Sequence, residues 1–289
     1  MKQINNFIEL TRLKKPIGYM LLFWPCIWGL TIGYDFSIDI KIFIKFIVLF
    51  LSGAILMRSA GCIINDIVDK DFDKKVERTK NRPIASGKVS VKLGLIYAFV
   101  LCALAFLVLI QFNFFTIILA LGSMPLAFSY PYMKRFTYWP QLFLGITFNY
   151  GLILGWTSIN SAISIIPIIF YLGAIFWTLG YDTIYGYQDI RDDEIIGVKS
   201  TSIKFRKNPK IFISFCYLIF FISLSLIGYL ENLNIIYFYG LGLIFVHLFF
   251  FQIKSLRTDS SQSCLKIFKS NNFLGMLIFI NLLFSKIII

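Results

Sequence analysis

The sequence predicts an all-α, polytopic membrane protein with about nine transmembrane helices around a central apolar cavity. Hydrophobic residues make up 58% of the 289 residues, and the mean hydropathy is +0.76. The stretches 93–133 and 136–181 carry no charged residue, and each has about twice the ~20 residues that cross a bilayer, so each predicts a helical hairpin. Apolar and polar residues do not alternate with a period of two, which argues against an outer-membrane barrel. No low-complexity linker divides the chain, so we expect residues 1–289 to form a single domain.

The order of apolar and charged segments predicts the topology. Apolar runs of spanning length lie near residues 17–34, 42–64, 91–111, 114–130, 139–157, 162–181, 211–230, 235–253 and 273–289. Lys and Arg concentrate in alternate connections, and the intervening short loops are nearly free of them, which is the positive-inside pattern. We therefore expect a cytoplasmic N-terminus, an external C-terminus, and a +13 net charge that reflects topology rather than nucleic-acid binding.

An acidic run follows the second apolar segment. Asp66, Asp69 and Asp73 are spaced i, i+3 and i+7, which places their carboxylates on one face of a helix. Such carboxylates repel one another unless a cation lies between them, and Mg²⁺ takes oxygen ligands that phosphate oxygens usually complete. Asn65 either completes such a metal site or caps the helix end. The alternative is a solvated charged loop.

A second acidic run follows the sixth apolar segment and favours the metal interpretation. Asp182, Asp189 and Asp193 fall at i, i+7 and i+11, again on one face of a continuous helix. Both runs follow helices of the same direction, which indicates a weak parallel duplication. Two facing carboxylate clusters bridged by metal predict a diphosphate site.

A cation-coupled transporter is the alternative from another class of protein. Transporter sites usually lie near the bilayer midplane, often between inverted repeats. Here the acidic residues cluster at cytoplasmic helix ends and the repeat is parallel, so transport is disfavoured.

Several cationic and polar residues lie close to the acidic runs. Ionisable residues inside spans are costly and indicate function. Arg58 lies about two turns before Asp66 and either pairs with the acidic residues or binds a substrate anion. Tyr130 and Lys134 lie four residues apart at a cytoplasmic helix end, so one helix face presents both. The alternative is that Lys134 and Arg135 only set the topology.

The two acidic runs and their flanking strings resemble the UbiA-type intramembrane aromatic prenyltransferases, and within them the bacterial 4-hydroxybenzoate branch. The runs read Asn65-Asp66-x-x-Asp69-x-x-x-Asp73 and Asp182-x-x-Tyr185-x-x-x-Asp189-x-x-Asp192-Asp193. The flanking strings are RLKKPIG at 12–18, LMRSAGC at 56–62, RPIASG at 82–87, YPYMKRFT at 130–137 and IGVKST at 196–201. The runs are specific to the superfamily, and the flanking strings indicate the branch. Ser202 and Gly186 stand where the family commonly has Ala.

This resemblance implies the Mg²⁺-dependent transfer of a long polyprenyl group from polyprenyl diphosphate to the 3-position of 4-hydroxybenzoate, a step of ubiquinone biosynthesis. It implies a multi-pass protein of the bacterial inner membrane, in contact with membrane lipid, with its active site facing the cytoplasm and no nucleic-acid partner. Sister enzymes with menaquinone-pathway, haem or lipid-glycerol acceptors remain the alternatives. Neither the oligomeric state nor the length of the prenyl chain follows from the sequence.

The resemblance also implies roles for individual residues. The six carboxylates expected to be catalytic and to bind Mg²⁺ are Asp66, Asp69, Asp73, Asp182, Asp189 and Asp193, with Asn65 as a further metal ligand. The residues expected to bind substrate or diphosphate are Arg58, Tyr130, Lys134, Arg135, Tyr185, Arg191, Asp192 and Lys199. The group that binds the acceptor's carboxylate stays open among Arg12, Arg58, Lys134 and Arg135.

Overall fold

The protein is all-helical over the residues that the computed structural model describes, 2–77 and 79–288, as the sequence predicts. Within these ranges, the structure describes the backbone but not the side chains of Lys2, Arg191, Asp192 and Ile196. The helices are α1 (Lys2–Thr11), α2 (Ile17–Gly33), α3 (Ile40–Val68), α4 (Lys70–Asp73), α5 (Val91–Leu109), α6 (Phe114–Gly122), α7 (Met124–Ser129), α8 (Met133–Phe136), α9 (Pro140–Asn160), α10 (Ile165–Gly186), α11 (Ile190–Ile196), α12 (Thr201–Lys204), α13 (Pro209–Leu230), α14 (Ile235–Phe245) and α15 (Ser261–Ile287). A 3₁₀ turn (Tyr130–Tyr132) joins α7 to α8, and a π-helical stretch (Val246–Ile253) continues α14.

Eight helical segments in the described part of the chain are long and apolar enough to cross a membrane. The first expected span, α2, has 17 residues, which is shorter than those eight. The last expected span is part of a longer helix, because α15 begins at Ser261, where the Ser260 side chain accepts a hydrogen bond from the Ser263 amide. The fourth span is broken after Gly122, and Pro125 and Pro131 lie in the pieces that follow. Proline disrupts an α-helix because it removes an amide donor.

Small residues let the central helices approach closely. Gly151 and Gly155 of α9 are four residues apart, the spacing that permits close contact between membrane helices. A Cβ added at Gly155 would overlap the carbonyl oxygen of Cys26 on α2, and one at Gly29 would overlap the carbonyl oxygen of Leu152. The α2–α9 pair therefore packs backbone against backbone.

Polar side chains attach the last three helices of the bundle to α10. Trp177 of α10 donates from Nε1 to Oδ1 of Asn271 on α15 at 2.8 Å. Gln252 donates to the same oxygen at 3.1 Å and accepts from the Tyr217 hydroxyl at 2.6 Å. All four residues are fully buried, and a buried polar group is costly unless it is hydrogen-bonded. The network therefore fixes how α13, the π-helical stretch and α15 pack on α10.

Helix α1 packs across the end of the bundle at which α3 finishes. Leu10 is fully buried in a cluster with Ala60, Ile63 and Ile84. Arg12 follows α1 with a φ of +56°, a left-handed conformation that is uncommon for residues other than glycine. This backbone turn places Arg12 beside the end of α3.

Candidate active site

One cavity of about 1680 Å³ joins the two acidic runs. Its polar end is lined by residues of both runs, and its walls continue between α3, α5, α6 and α9 as a mainly apolar chamber. The arrangement suits a ligand with an anionic head and a long apolar tail, because polar and apolar surfaces meet in a single cavity.

The first acidic run lies at the junction of α3 and α4. Asp66 is in the last turn of α3, Asp69 follows its end, and Asp73 is the last residue of α4. The Asp73 amide donates to the carbonyl of Asp69 at 2.8 Å, so the break between the two helices is slight. All three carboxylates are buried, at 1%, 2% and 7% exposure, and all three line the cavity.

Three basic side chains from distant parts of the chain neutralise this run. Arg12 lies 2.5 Å from Oδ1 of Asp66. Arg82 bridges Asp66 at 3.2 Å and Asp73 at 2.8 Å. Lys134 lies 2.5 Å from Oδ2 of Asp69. The cluster thus combines buried acids with buried or half-buried cations.

Sequence reasoning missed Arg82 and left the role of Arg12 open. Arg82 follows Asp73 through an irregular loop, in which Thr79 donates to the carbonyl of Asp73 at 3.0 Å and the Arg82 amide to that of Thr79 at 2.9 Å. No helical spacing relates Arg82 to the acidic run. The available signal was its place in the string RPIASG.

Asp69 carries an oxygen suited to a metal ligand. Its Oδ1 is buried and has no hydrogen-bond partner among the described residues. Burial raises the pKa of the Asp69 carboxyl, and the charge of Lys134 opposes this effect. An unpartnered buried carboxylate oxygen is costly, so this oxygen fits a hard cation such as Mg²⁺. Within residues 2–77 and 79–288, no three acidic, His or Cys side chains already converge as a formed metal site.

The second acidic run does not lie on one continuous helix, and the expectation that it does is wrong. Helix α10 ends at Gly186, and a new helix, α11, begins after Asp189. A Cβ at Gly186 would overlap the hydroxyl of Ser202, which donates to the carbonyl of Thr183 at 2.8 Å. Helix α12 therefore packs closely against the end of α10, where the chain changes direction.

The break still leaves the second run on the cavity. Asp182, Asp189 and Asp193 all line it, and the Asp193 amide donates to the carbonyl of Asp189 at 2.9 Å. Tyr185 lines the same wall, with its ring centroid 4.4 Å from that of Phe268 on α15. The side chains of Arg191 and Asp192, both expected in the site, lie outside the described residues.

Arg58 lies on α3 in the cavity wall, apart from the first acidic run. Its Nε is buried and has no hydrogen-bond partner in the described part of the chain. The guanidinium lies 5.4 Å from the ring centroid of Phe148, and Asp182 lines the same cavity. A buried N–H needs an acceptor, and the cavity is where a ligand could supply one.

The remaining expected site residues separate into two groups. Asn65 and Tyr130 line the polar end of the cavity. Lys199 lines it too, but its Nζ donates to the carbonyl of Phe136 at 3.3 Å, and its amide donates to that of Lys134 at 2.8 Å. Arg135 donates to the carbonyl of Val68 at 2.8 Å and lies over the ring of Phe72. The hydrogen bonds of Lys199 and Arg135 therefore hold the backbone around Lys134 in place.

The fold and the cavity together define a multi-pass membrane protein whose bundle contains a cavity with an acidic end and a mainly apolar chamber. The sequence matches the UbiA prenyltransferase family over residues 22–283, and the chain belongs to that family. The expectation of a prenyltransferase is thereby confirmed.

Two relatives agree with this assignment, and one solved structure shares the fold. The 4-hydroxybenzoate octaprenyltransferase of Psychromonas ingrahamii is 41% identical over 276 residues, 96% of this chain and 94% of the relative. The mitochondrial 4-hydroxybenzoate polyprenyltransferase of Drosophila pseudoobscura is 39% identical over 285 residues, 98% of this chain and 70% of the relative. A UbiA homologue from Archaeoglobus fulgidus, solved bound to GPP and Mg²⁺, has the same fold, with a TM-score of 0.71 at 19% identity over 96% of this chain and 99% of its own.

Proposed function

We propose that this prenyltransferase transfers a polyprenyl group from polyprenyl diphosphate to the 3-position of 4-hydroxybenzoate, with Mg²⁺ as its cofactor, in ubiquinone biosynthesis. The observation that carries the proposal is the single cavity in which both acidic runs open onto a long apolar chamber. Relatives with this activity in their names align over nearly the whole chain at about 40% identity.

The acidic runs supply the ligands for the metal. Asp66, Asp69 and Asp73 would hold Mg²⁺ on one side, and Asp182, Asp189 and Asp193 on the other, with Asn65 beside the first run. Magnesium would stabilise the negative charge that develops on the departing diphosphate. The free, buried Oδ1 of Asp69 supports this assignment, as does the Archaeoglobus homologue bound to GPP and Mg²⁺.

The basic residues hold the diphosphate. In the structure, Arg12, Arg82 and Lys134 form ion pairs with the first acidic run. With Mg²⁺ on those carboxylates, Arg12, Arg82 and Lys134 would be able to bind the phosphate oxygens, to which ionised donors make strong hydrogen bonds. Tyr130 and Tyr185 line the adjacent wall.

The reaction breaks the bond between the allylic carbon and the diphosphate oxygen and forms a carbon–carbon bond to the ring position ortho to the phenol hydroxyl. The ring then loses the proton from that carbon, and diphosphate is released. The chamber's apolar walls keep water from the electron-poor allylic carbon. In place of water, preorganised dipoles of the protein stabilise the charge that develops in the transition state. Arg58, which lines the cavity and whose buried Nε has no hydrogen-bond partner among the described residues, would bind the carboxylate of the acceptor.

We propose a bacterial inner membrane location with the polar end of the cavity facing the cytoplasm and with residues 1–289 acting as one domain. Lys and Arg residues cluster beside that end of the bundle, which supports this orientation. The relative from Psychromonas is bacterial, whereas other relatives are mitochondrial.

Prenyl transfer in isolated membranes tests the proposal. Membranes with and without the protein receive labelled 4-hydroxybenzoate, a polyprenyl diphosphate, and either Mg²⁺ or EDTA. Lipid-extractable label that requires both the protein and Mg²⁺ is the expected result. Transfer to a different acceptor would assign the protein to a sister branch, and no transfer to any acceptor would refute the prenyltransferase mechanism described here.

A further inference from the structure

We propose that Phe112, packed on Phe50, forms an end wall of the apolar chamber and determines how donors of different tail length are accepted. This inference rests on the proposed function. Phe50 of α3 and Phe112 of the α5–α6 loop both line the cavity that contains the acidic runs. Their ring centroids lie 4.8 Å apart, and Phe46 backs Phe112 at 5.4 Å.

The wall lies far from the diphosphate site. Along α3, cavity-lining residues run from Asp66 back to Leu49, a distance of about 25 Å at 1.5 Å per residue. Along α9 they run from Pro140 to Leu154, about 21 Å. The chamber therefore crosses most of a hydrocarbon core of about 30 Å.

The length of this chamber distinguishes short donors from long ones. An isoprene unit adds four chain bonds, about 4.8 Å at the roughly 1.2 Å per bond of a fully extended chain. A chamber of about 21–25 Å thus holds about four to five extended units. A farnesyl tail fits inside, whereas an octaprenyl tail, about 38 Å when extended, must displace the aromatic wall, fold back or leave sideways.

Phe112 is held in place by its neighbour in the chain. The Asn113 side chain accepts a hydrogen bond from the Thr116 amide at 2.9 Å and so caps α6. Its Nδ2 donates to the carbonyls of Thr157 and Ser158, at 2.8 and 3.1 Å, on the last turn of α9. These contacts tie the α5–α6 loop to α9, so the wall is a fixed feature rather than a loose side chain.

The test compares kcat/KM for octaprenyl and farnesyl diphosphate in the full-length protein, with 4-hydroxybenzoate as acceptor. Phe112→Ala should raise the octaprenyl-to-farnesyl ratio by about fourfold or more, the change expected from relieving contact with a single methylene group. Phe112→Trp should lower the ratio, and Asn113→Ala should change it in the same direction as Phe112→Ala. The matched control is Phe36→Ala, which removes an aromatic ring that packs on Tyr34 at 5.1 Å outside this cavity and should leave the ratio unchanged.

Opposite shifts for the alanine and tryptophan variants support the wall. An unchanged ratio in both variants, or equal losses with both donors, would refute it, because a residue that only maintains the fold affects the two donors alike. If the wild-type protein transfers neither tail, the proposed function fails as well. Transfer of both tails with an insensitive ratio leaves the proposed function intact and removes only this inference.

Discussion

Lys134 Nζ lies 2.5 Å from Oδ2 of Asp69, while the other oxygen of the same carboxylate, Oδ1, is buried without a hydrogen-bond partner among the described residues. One oxygen is thus held by a cation from the α8 segment, and the other is available in the cavity. A buried carboxylate oxygen needs a donor or a metal. Under the proposed function, Asp69 would be a metal ligand and Lys134 a cation for the diphosphate.

Asp69→Asn should lower Mg²⁺-dependent prenyl transfer by about 100-fold or more. Losing a residue that only supports a metal ligand costs about 10- to 100-fold, and losing the ligand itself should cost at least as much as the upper value. Asp71→Asn is the control, since Asp71 belongs to the same run but its side chain is 88% exposed and pairs with Lys74 at 3.4 Å. It should change the rate by about twofold at most, as surface substitutions do. Equal losses in the two variants would contradict the metal assignment.

Arg82→Gln should destabilise the metal-free protein, because it leaves the buried carboxylates of Asp66 and Asp73 with fewer cations. Breaking a fully buried pair costs about 3–5 kcal/mol, and the 21% exposure of Arg82 reduces this to about 1–3 kcal/mol through solvent screening. Thermal unfolding in detergent should report the loss, and added Mg²⁺ should recover part of it.

Lys80→Gln serves as the control for Arg82→Gln, because Lys80 and its partner Glu77 are 45% and 82% exposed. An exposed pair contributes about 0–1 kcal/mol. If Lys80→Gln and Arg82→Gln lowered the unfolding temperature equally, the bridging role of Arg82 would be wrong.

The Mg²⁺ requirement should depend on pH. Because burial raises the pKa of Asp69, a proton competes with the metal at a higher pH than it would for an ordinary Asp carboxyl of pKa about 3.9. Binding of Mg²⁺ releases that proton, so the Mg²⁺ concentration for half-maximal transfer should rise as pH falls through the raised pKa, and should level off above it. A requirement that stays constant as pH is lowered toward 4 would show that Asp69 is not a ligand.

Gly155→Ala should destabilise the bundle by about 1–3 kcal/mol, the usual cost of overpacking, because its Cβ would overlap the carbonyl oxygen of Cys26. Gly122→Ala is the control, since a Cβ there meets nothing within 4 Å, and should be neutral or slightly stabilising. Thermal unfolding of the two variants in the same detergent gives the comparison, and equal stability would argue against backbone contact between α2 and α9.

Much of the fold was predictable because it depends on local composition. The apolar runs of spanning length correspond to helices in the structure, since a segment in lipid must satisfy its backbone hydrogen bonds internally. The helix ends were less predictable. The break between Gly186 and Ile190 depends on the packing of α12 against Gly186, which no periodicity in residues 182–193 reveals.

The sequence by itself determined that this protein is a helical membrane protein with two acidic runs, because hydrophobic length and carboxylate spacing are local properties of the chain. Only the tertiary structure decided that Arg12, Arg82 and Lys134 neutralise the first run, and that Phe50 and Phe112 meet at an end of the apolar chamber. These contacts join residues far apart in sequence, and their positions follow from how whole helices and loops pack. Hydropathy and helical spacing describe one segment at a time. They therefore carry no information about which side chains from distant parts of the sequence contact one another.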